Sequence, residues 1–119
     1  MWEIEQILDE DYLFMRVHKN NFDVRTQKPK PIAFDNHGSG MSTDWDKYST
    51  PLDTKQRAKI PKNYGVISLN AGEVRQIEDQ SVEHSPSIEN RAHTDVKGQK
   101  IVKERAKLLQ IYEWKISVI

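Results

Sequence analysis

Apolar positions recur along this chain at two spacings. Met1 to Asp11 carries Ile4, Ile7 and Leu8 at i, i+3 and i+4, which predicts one short amphipathic helix. From Tyr12 to His18 the period drops to two: Leu13, Met15 and Val17 alternate with Phe14, Arg16 and His18, the mark of a strand. Lys19 to Pro31 is polar and ends in Lys-Pro-Lys-Pro. Each proline pushes its predecessor toward extended geometry and removes an N–H, so a loop or edge segment is expected there. Ile32 to Phe34 reads as a short strand closed by the turn-rich run 35–40. Ser42 reads as the N-cap of a turn through Trp45 and Tyr48.

The second half is better punctuated. Thr50-Pro51-Leu52-Asp53 joins a capping hydroxyl, a proline at the first helical position and an acid at the positive end of the dipole. That helix should reach about Ala58 and stop before Pro61. Tyr64–Leu69 predicts a buried strand, and Asn70 caps a brief helix through Val74 and Ile77. Ser81–His84 and Ala92–Val96 predict two more strands. Gly98 ends the latter, with His93 and Asp95 on one face and Ala92, Thr94 and Val96 on the other. Residues 99–112 place Ile101, Val102, Arg105, Leu108, Leu109 and Tyr112 at helical spacing, with Lys100, Lys103 and Lys107 on the other side. Trp114–Ile119 closes with a strand. Strands interleaved with short helices predict an α+β fold: a small mixed sheet, short helices and one longer C-terminal helix, in a single domain over 1–119.

Composition narrows the class. Leu, Ile, Val and Phe make up about a quarter of the 119 residues, enough for a core. Lys plus Arg equals Asp plus Glu at 18 each, so the formal charge is zero. The broad positive field that non-specific nucleic-acid binding uses is missing, and Lys97, Lys100, Lys103, Arg105 and Lys107 read as a solvated basic face. No apolar run is long enough for a membrane span, and the acidic first residues do not resemble a signal peptide. The absence of cysteine excludes disulfides, thiolate nucleophiles and Cys-based zinc sites, with a cytoplasmic location as the expectation.

Candidate chemistry centres on the histidines, the residues able to exchange protons near neutral pH. His18, His84 and His93 stand at predicted strand ends beside polar groups and are the catalytic candidates. If those ends converge, they share a cleft with Arg91. Each also reads as an ordinary surface histidine bonded locally. His93 and Asp95 point the same way at i and i+2, but a metal centre needs three or four ligands and no such spacing occurs, so no metal is expected. Asp35, His37, Ser42 and Thr43 lie in a glycine-, hydroxyl- and carboxylate-rich run where backbone N–H groups can approach a ligand. With Arg91 and Asp95 they form the ligand-binding candidates. The run matches neither the P-loop nor the dinucleotide glycine pattern.

The blocks Ala-Phe-Asp (33–35), Met-Ser-Thr-Asp-Trp-Asp-Lys-Tyr-Ser-Thr-Pro (41–51), Tyr-Gly-Val-Ile-Ser-Leu-Asn-Ala-Gly-Glu-Val-Arg (64–75), Val-Glu-His-Ser-Pro (82–86) and Asn-Arg-Ala-His-Thr-Asp-Val-Lys-Gly (90–98) resemble a set of small bacterial proteins of no established activity. The resemblance spans roughly residues 12–109. It implies a bacterial, soluble, single-domain protein and assigns no catalytic residue, cofactor or substrate. Two functional readings follow. In the favoured one the polar segments form a binding or accessory module for a small ligand or a protein. In the alternative a His/Arg/Ser cleft acts on a nucleotide or other phosphate ester, with Arg91 holding the anion.

Overall fold

The computed structural model describes residues 1–119. The segments read as strands become β1 (Tyr12–His18), β5 (Tyr64–Asn70), β6 (Ser81–His84), β7 (His93–Lys97) and β8 (Glu113–Ile116) of one sheet, which gains β4 (Met41–Trp45) where a capped turn was expected. A small ribbon of β2 (Phe22–Asp23) and β3 (Lys28–Pro29) occupies the expected loop or edge segment. The helices are α1 (Pro51–Gln56), α2 (Ala71–Arg75) and α3 (Val102–Ile111). The sheet runs β6-β7-β4-β1-β5-β8, so the α+β class and the longer C-terminal helix are as expected. Every pairing is antiparallel, where a mixed sheet was expected. The helical crossovers skip a position or span the sheet, so no strand returns parallel beside its predecessor.

Capping chemistry explains the helix starts. The Thr50 side chain accepts from the Asp53 N–H and Asn70 accepts from Glu73, each meeting a donor left open in the first turn. Helix α3 is shorter than its apolar spacing suggests. Gly98, at φ +121°, turns the chain so tightly that a Cβ there would meet the Asp79 carbonyl at 2.0 Å. Only Leu108 and Glu104 of α3 are buried, while Val102 is 83% exposed. Glu104 reaches back to the Ile101 N–H at 3.1 Å.

The core lies on one side of the sheet. Leu13, Met15 and Val17 of β1, Met41 and Trp45 of β4, and Ile67 and Leu69 of β5 face it. Val74 of α2, Leu108 of α3 and Phe34 close it. On the other side of the sheet α1 lies against β1 and β5, and Arg16 donates to its Thr54 carbonyl at 3.0 Å.

Three local expectations are corrected. Residues 1–8 form no helix: Ile4 and Leu8 stay exposed and only Ile7 is buried. Backbone donors there go to side chains instead, Glu5 N–H to the distant His84 Nδ1 at 3.0 Å and Leu8 N–H to the nearby Asp11 carboxylate at 2.8 Å. The Glu5 carboxylate accepts from Lys47 and from the Tyr48 hydroxyl, which hold it below its ordinary pKa. Ser42 is a strand residue rather than a cap, and residues 31–33 form a 3₁₀ turn rather than a strand.

Lys100 is also placed unexpectedly, since its side chain is buried and not on a solvated helix face. Its ammonium donates to the carbonyls of Val96 and Gly98 and to Asn36 Oδ1 at 2.8–3.1 Å. Burial, which disfavours the charged form, lowers its pKa to about 8 from 10.5, against the opposing pull of Asp79, Glu104 and Asp35. Between those values the folded chain holds less of this proton than the unfolded chain, so the Lys100 contribution to stability rises with pH. Urea midpoints of the native chain should therefore climb relative to Lys100→Met from pH 8 to pH 10. Parallel curves for the two proteins would refute this.

Candidate functional site

Strand β4 sits between β7 and β1 but pairs with them unequally. Its register with β7 holds from Met41–Val96 to Asp44–His93, whereas with β1 it forms only Leu13–Trp45 and Phe14–Asp44. Beyond Asp44 the two strands part. A cleft of about 170 Å³ opens there, lined by Phe14, Met15 and Arg16 of β1 and residues 41–44 of β4, with Ala33, Asp35, His37, Thr54 and Tyr64 around it.

The polarity of its walls follows from strand alternation. Trp45 donates its N–H to Ala92 on the β7 side, and Asp46 donates to Tyr12 on the β1 side. Even-numbered residues of β4 thus direct their backbone groups at β1, and Tyr12, Phe14 and Arg16 direct theirs at β4. The next pair in this series is Arg16–Ser42, and there the pairing has ended. The backbone N–H and C=O of both residues consequently point toward the cleft.

The Ser42 side chain points to the solvent side of the sheet, beside His93. Ser42 Oγ lies 2.9 Å from His93 Nε2. His93 Nδ1 lies 2.9 Å from the Ser85 carbonyl and 3.0 Å from Ser85 Oγ. A carbonyl only accepts, so the proton sits on Nδ1 and the Nε2 lone pair receives the Ser42 hydroxyl. Asp95, buried, accepts from Ser85 Oγ at 3.0 Å and from Ser39 Oγ at 2.9 Å. Its other oxygen stands 3.9 Å from His93 Nε2. Ser39 reaches it because His37 and Gly40 close a two-residue turn with Gly38 at φ +69°.

Asp44 anchors the surroundings. Its carboxylate, almost fully buried, accepts from Thr54 Oγ1, the Arg57 guanidinium and Asn90 Nδ2, all at 2.8 Å. One side chain therefore fastens α1, β4 and the loop before β7. On the far rim, Arg105 donates to the Phe34 carbonyl and stands 3.6 Å from Asp35. Asn36 is held by Lys100 and by the Gly98 carbonyl.

The candidates named from sequence separate into groups. Ser42, His93 and Asp95 come together, and Asp35 and His37 line the same cleft. Thr43 touches the cleft, but its hydroxyl donates to the Thr94 carbonyl in the interior. His84 and Arg91 do not join His93. His84 is buried against Trp45 and Tyr48, accepting from Glu5 and donating to the Arg91 carbonyl. Arg91 stacks on Tyr48 and Trp2, with centroid distances of 4.0 and 4.5 Å. His18 caps the turn after β1 and meets the edge of Tyr64. Arg16, Ser39 and Ser85 were not singled out from sequence. Only the polar alternation of β1 marked Arg16, and nothing local marked the two serines. No known protein family, curated protein or solved structure matches this chain.

Asp44 and Ser42 should respond differently to truncation. Asp44→Ala leaves Arg57, Thr54 and Asn90 without their shared acceptor and should cost about 3–5 kcal/mol in urea unfolding. Ser42→Ala removes an exposed hydroxyl and should stay within about 0.5–1 kcal/mol. Equal losses would show that Asp44 is not the anchor.

Proposed function

We propose that this chain is a small-ligand-binding module whose site is the cleft between β1 and β4. The observation that carries the reading is the open Arg16–Ser42 position. Two neighbouring strands expose hydrogen-bonding backbone there, next to a guanidinium, a hydroxyl and apolar walls from Phe14, Met15 and Met41. Unpaired backbone N–H groups at the edge of a cavity are costly unless water or a ligand meets them, and they suit a carbonyl or carboxylate oxygen. The volume suits a ligand of a few heavy atoms.

Charge further narrows the class. Arg16 brings one positive charge, Asp44 is matched by Arg57, and Asp35 faces Arg105. This balance favours a neutral or singly charged oxygen ligand over a nucleotide or other phosphate ester. The phosphate reading also loses Arg91 as its anion holder, since that guanidinium is stacked on aromatic rings away from His93. The setting that goes with this proposal is a bacterial one, expected from the sequence resemblance, and a cytoplasmic one, expected from the lack of cysteine. No helix is long and apolar enough to cross a membrane.

Titration with acetate, followed by amide chemical shifts at constant pH and ionic strength, tests the proposal. Saturable shifts should concentrate at Arg16, Ser42, His37 and Tyr64. Shifts confined to a second groove, lined by Glu73 and Gln76 beside Lys103 and Lys107 between α2 and α3, or none up to high millimolar acetate, would overturn it.

A further inference from the structure

We infer that Ser42 is a nucleophile and His93 its general base, so that the cleft cleaves small carboxylic esters. The inference rests on the binding reading above and adds an activity to it. Three features of the arrangement carry it. First, the imidazole tautomer is set by a backbone carbonyl: Nδ1–H donates to Ser85 C=O, which leaves Nε2 as an acceptor 2.9 Å from Ser42 Oγ. A serine hydroxyl is a weak nucleophile until such a base takes its proton. Second, a buried carboxylate flanks the base at the nitrogen that faces Ser42. Asp95 is fixed by Ser39 and Ser85, and its Oδ1 lies 3.9 Å from Nε2, near enough to favour the imidazolium that forms when the proton arrives. Third, the backbone N–H groups of Ser42 and Arg16 face the cleft beside the nucleophile. Such donors stabilise a developing oxyanion.

The reaction balances without a co-reactant other than water. Ser42 Oγ bonds to the ester carbonyl carbon as its proton passes to His93 Nε2, and the carbonyl oxygen takes the negative charge. The C–O bond to the alcohol then breaks, the alkoxide takes the proton from His93, and acyl-Ser42 remains. Water repeats the sequence, giving a proton to His93 while its oxygen attacks the acyl carbon. Ser42 leaves with that proton, and the carboxylic acid is released. Ser85 and Asp95 touch no reacting atom in this scheme; they are positioning residues for His93. The cleft volume limits the acyl group to a short chain, with Phe14, on the same face of the sheet as Ser42, as its apolar contact.

The test uses the full chain with p-nitrophenyl acetate as substrate and methanesulfonyl fluoride as covalent probe. Turnover should exceed the buffer rate, and the sulfonyl adduct should map by peptide mass to Ser42. Ser42→Ala should lose the adduct and at least 100-fold of the rate. His93→Ala should lose a comparable factor, since general-base assistance contributes about 10²–10⁴-fold, while its urea midpoint stays near that of the native chain. Asp95→Asn should lower kcat more than it raises KM, the signature of a group acting through His93. Undiminished turnover in Ser42→Ala, an adduct on another residue, or a chain that neither turns over nor labels would overturn the inference. If acetate still shifts the Arg16 and Ser42 amides in that last case, the binding reading survives alone. If acetate shifts nothing, both readings fall.

Discussion

A carboxylate taken out of water must be met by charge and by donors, and Asp44 is met by Arg57, Thr54 and Asn90 at once. Those partners come from α1, from the residue just beyond it and from the loop that enters β7. The position of Asp44 in β4 gives the requirement its structural reach. Asp44 is the last residue of β4 paired with β1, and it stands opposite His93 on β7. Where the carboxylate collects its partners, the β1 ladder ends and the β7 ladder continues.

The divergence of β1 and β4 follows from how each strand is held elsewhere. β1 is committed over its whole length to β5, from Tyr12–Asn70 to His18–Tyr64. β4 is committed to β7 and, through Ser39 on the preceding turn, to Asp95. Those ladders use the outer edge of each strand and fix its course, while only two residue pairs hold the facing edges together. Sheet twist rotates neighbours relative to one another, and a short ladder accumulates too little pairing to resist it. The resulting gap keeps its depth because Asp35–His37 on the rim are tied down by Arg105, Lys100 and the Gly98 turn.

Much of the fold was legible because it is written locally. Thr50 before Pro51, Asn70 before Ala71 and Gly98 after β7 are capping and turn residues whose side chains or φ angles impose the same geometry in almost any context. Residues 1–8 show the opposite case. Ile4, Ile7 and Leu8 have helical spacing, yet the segment is extended because His84 and Asp11 offer its N–H groups better partners than a short helix could. Ser42 was misplaced for a related reason. A serine ahead of Trp45 and Tyr48 suits the cap of a short turn, and only the partner strands reveal that it belongs to a ladder. Of the site, His93 and Asp95 were readable as a same-face pair. The separation of His84 from His93 was not, because it depends on the register of β6 against β7: His84 stands opposite Thr94 on the core face and His93 opposite Asp44 on the other.

The same parity argument shows how the proposed binding and the proposed chemistry meet at one residue. A strand residue offers its backbone in the plane of the sheet and its side chain above that plane. At Ser42 the first faces a gap that β1 fails to fill, and the second faces an imidazole on the strand behind. A ligand carbonyl entering the gap thus meets an N–H and an activated hydroxyl from one residue. Moving the serine by one position would turn its backbone toward β7 and its side chain into the core, as Thr43 demonstrates: its hydroxyl is spent on the Thr94 carbonyl. The proposed chemistry is therefore a consequence of register. It needs no helix dipole, metal or strained turn at the nucleophile, only that β1 let go of β4 one pair after Phe14–Asp44.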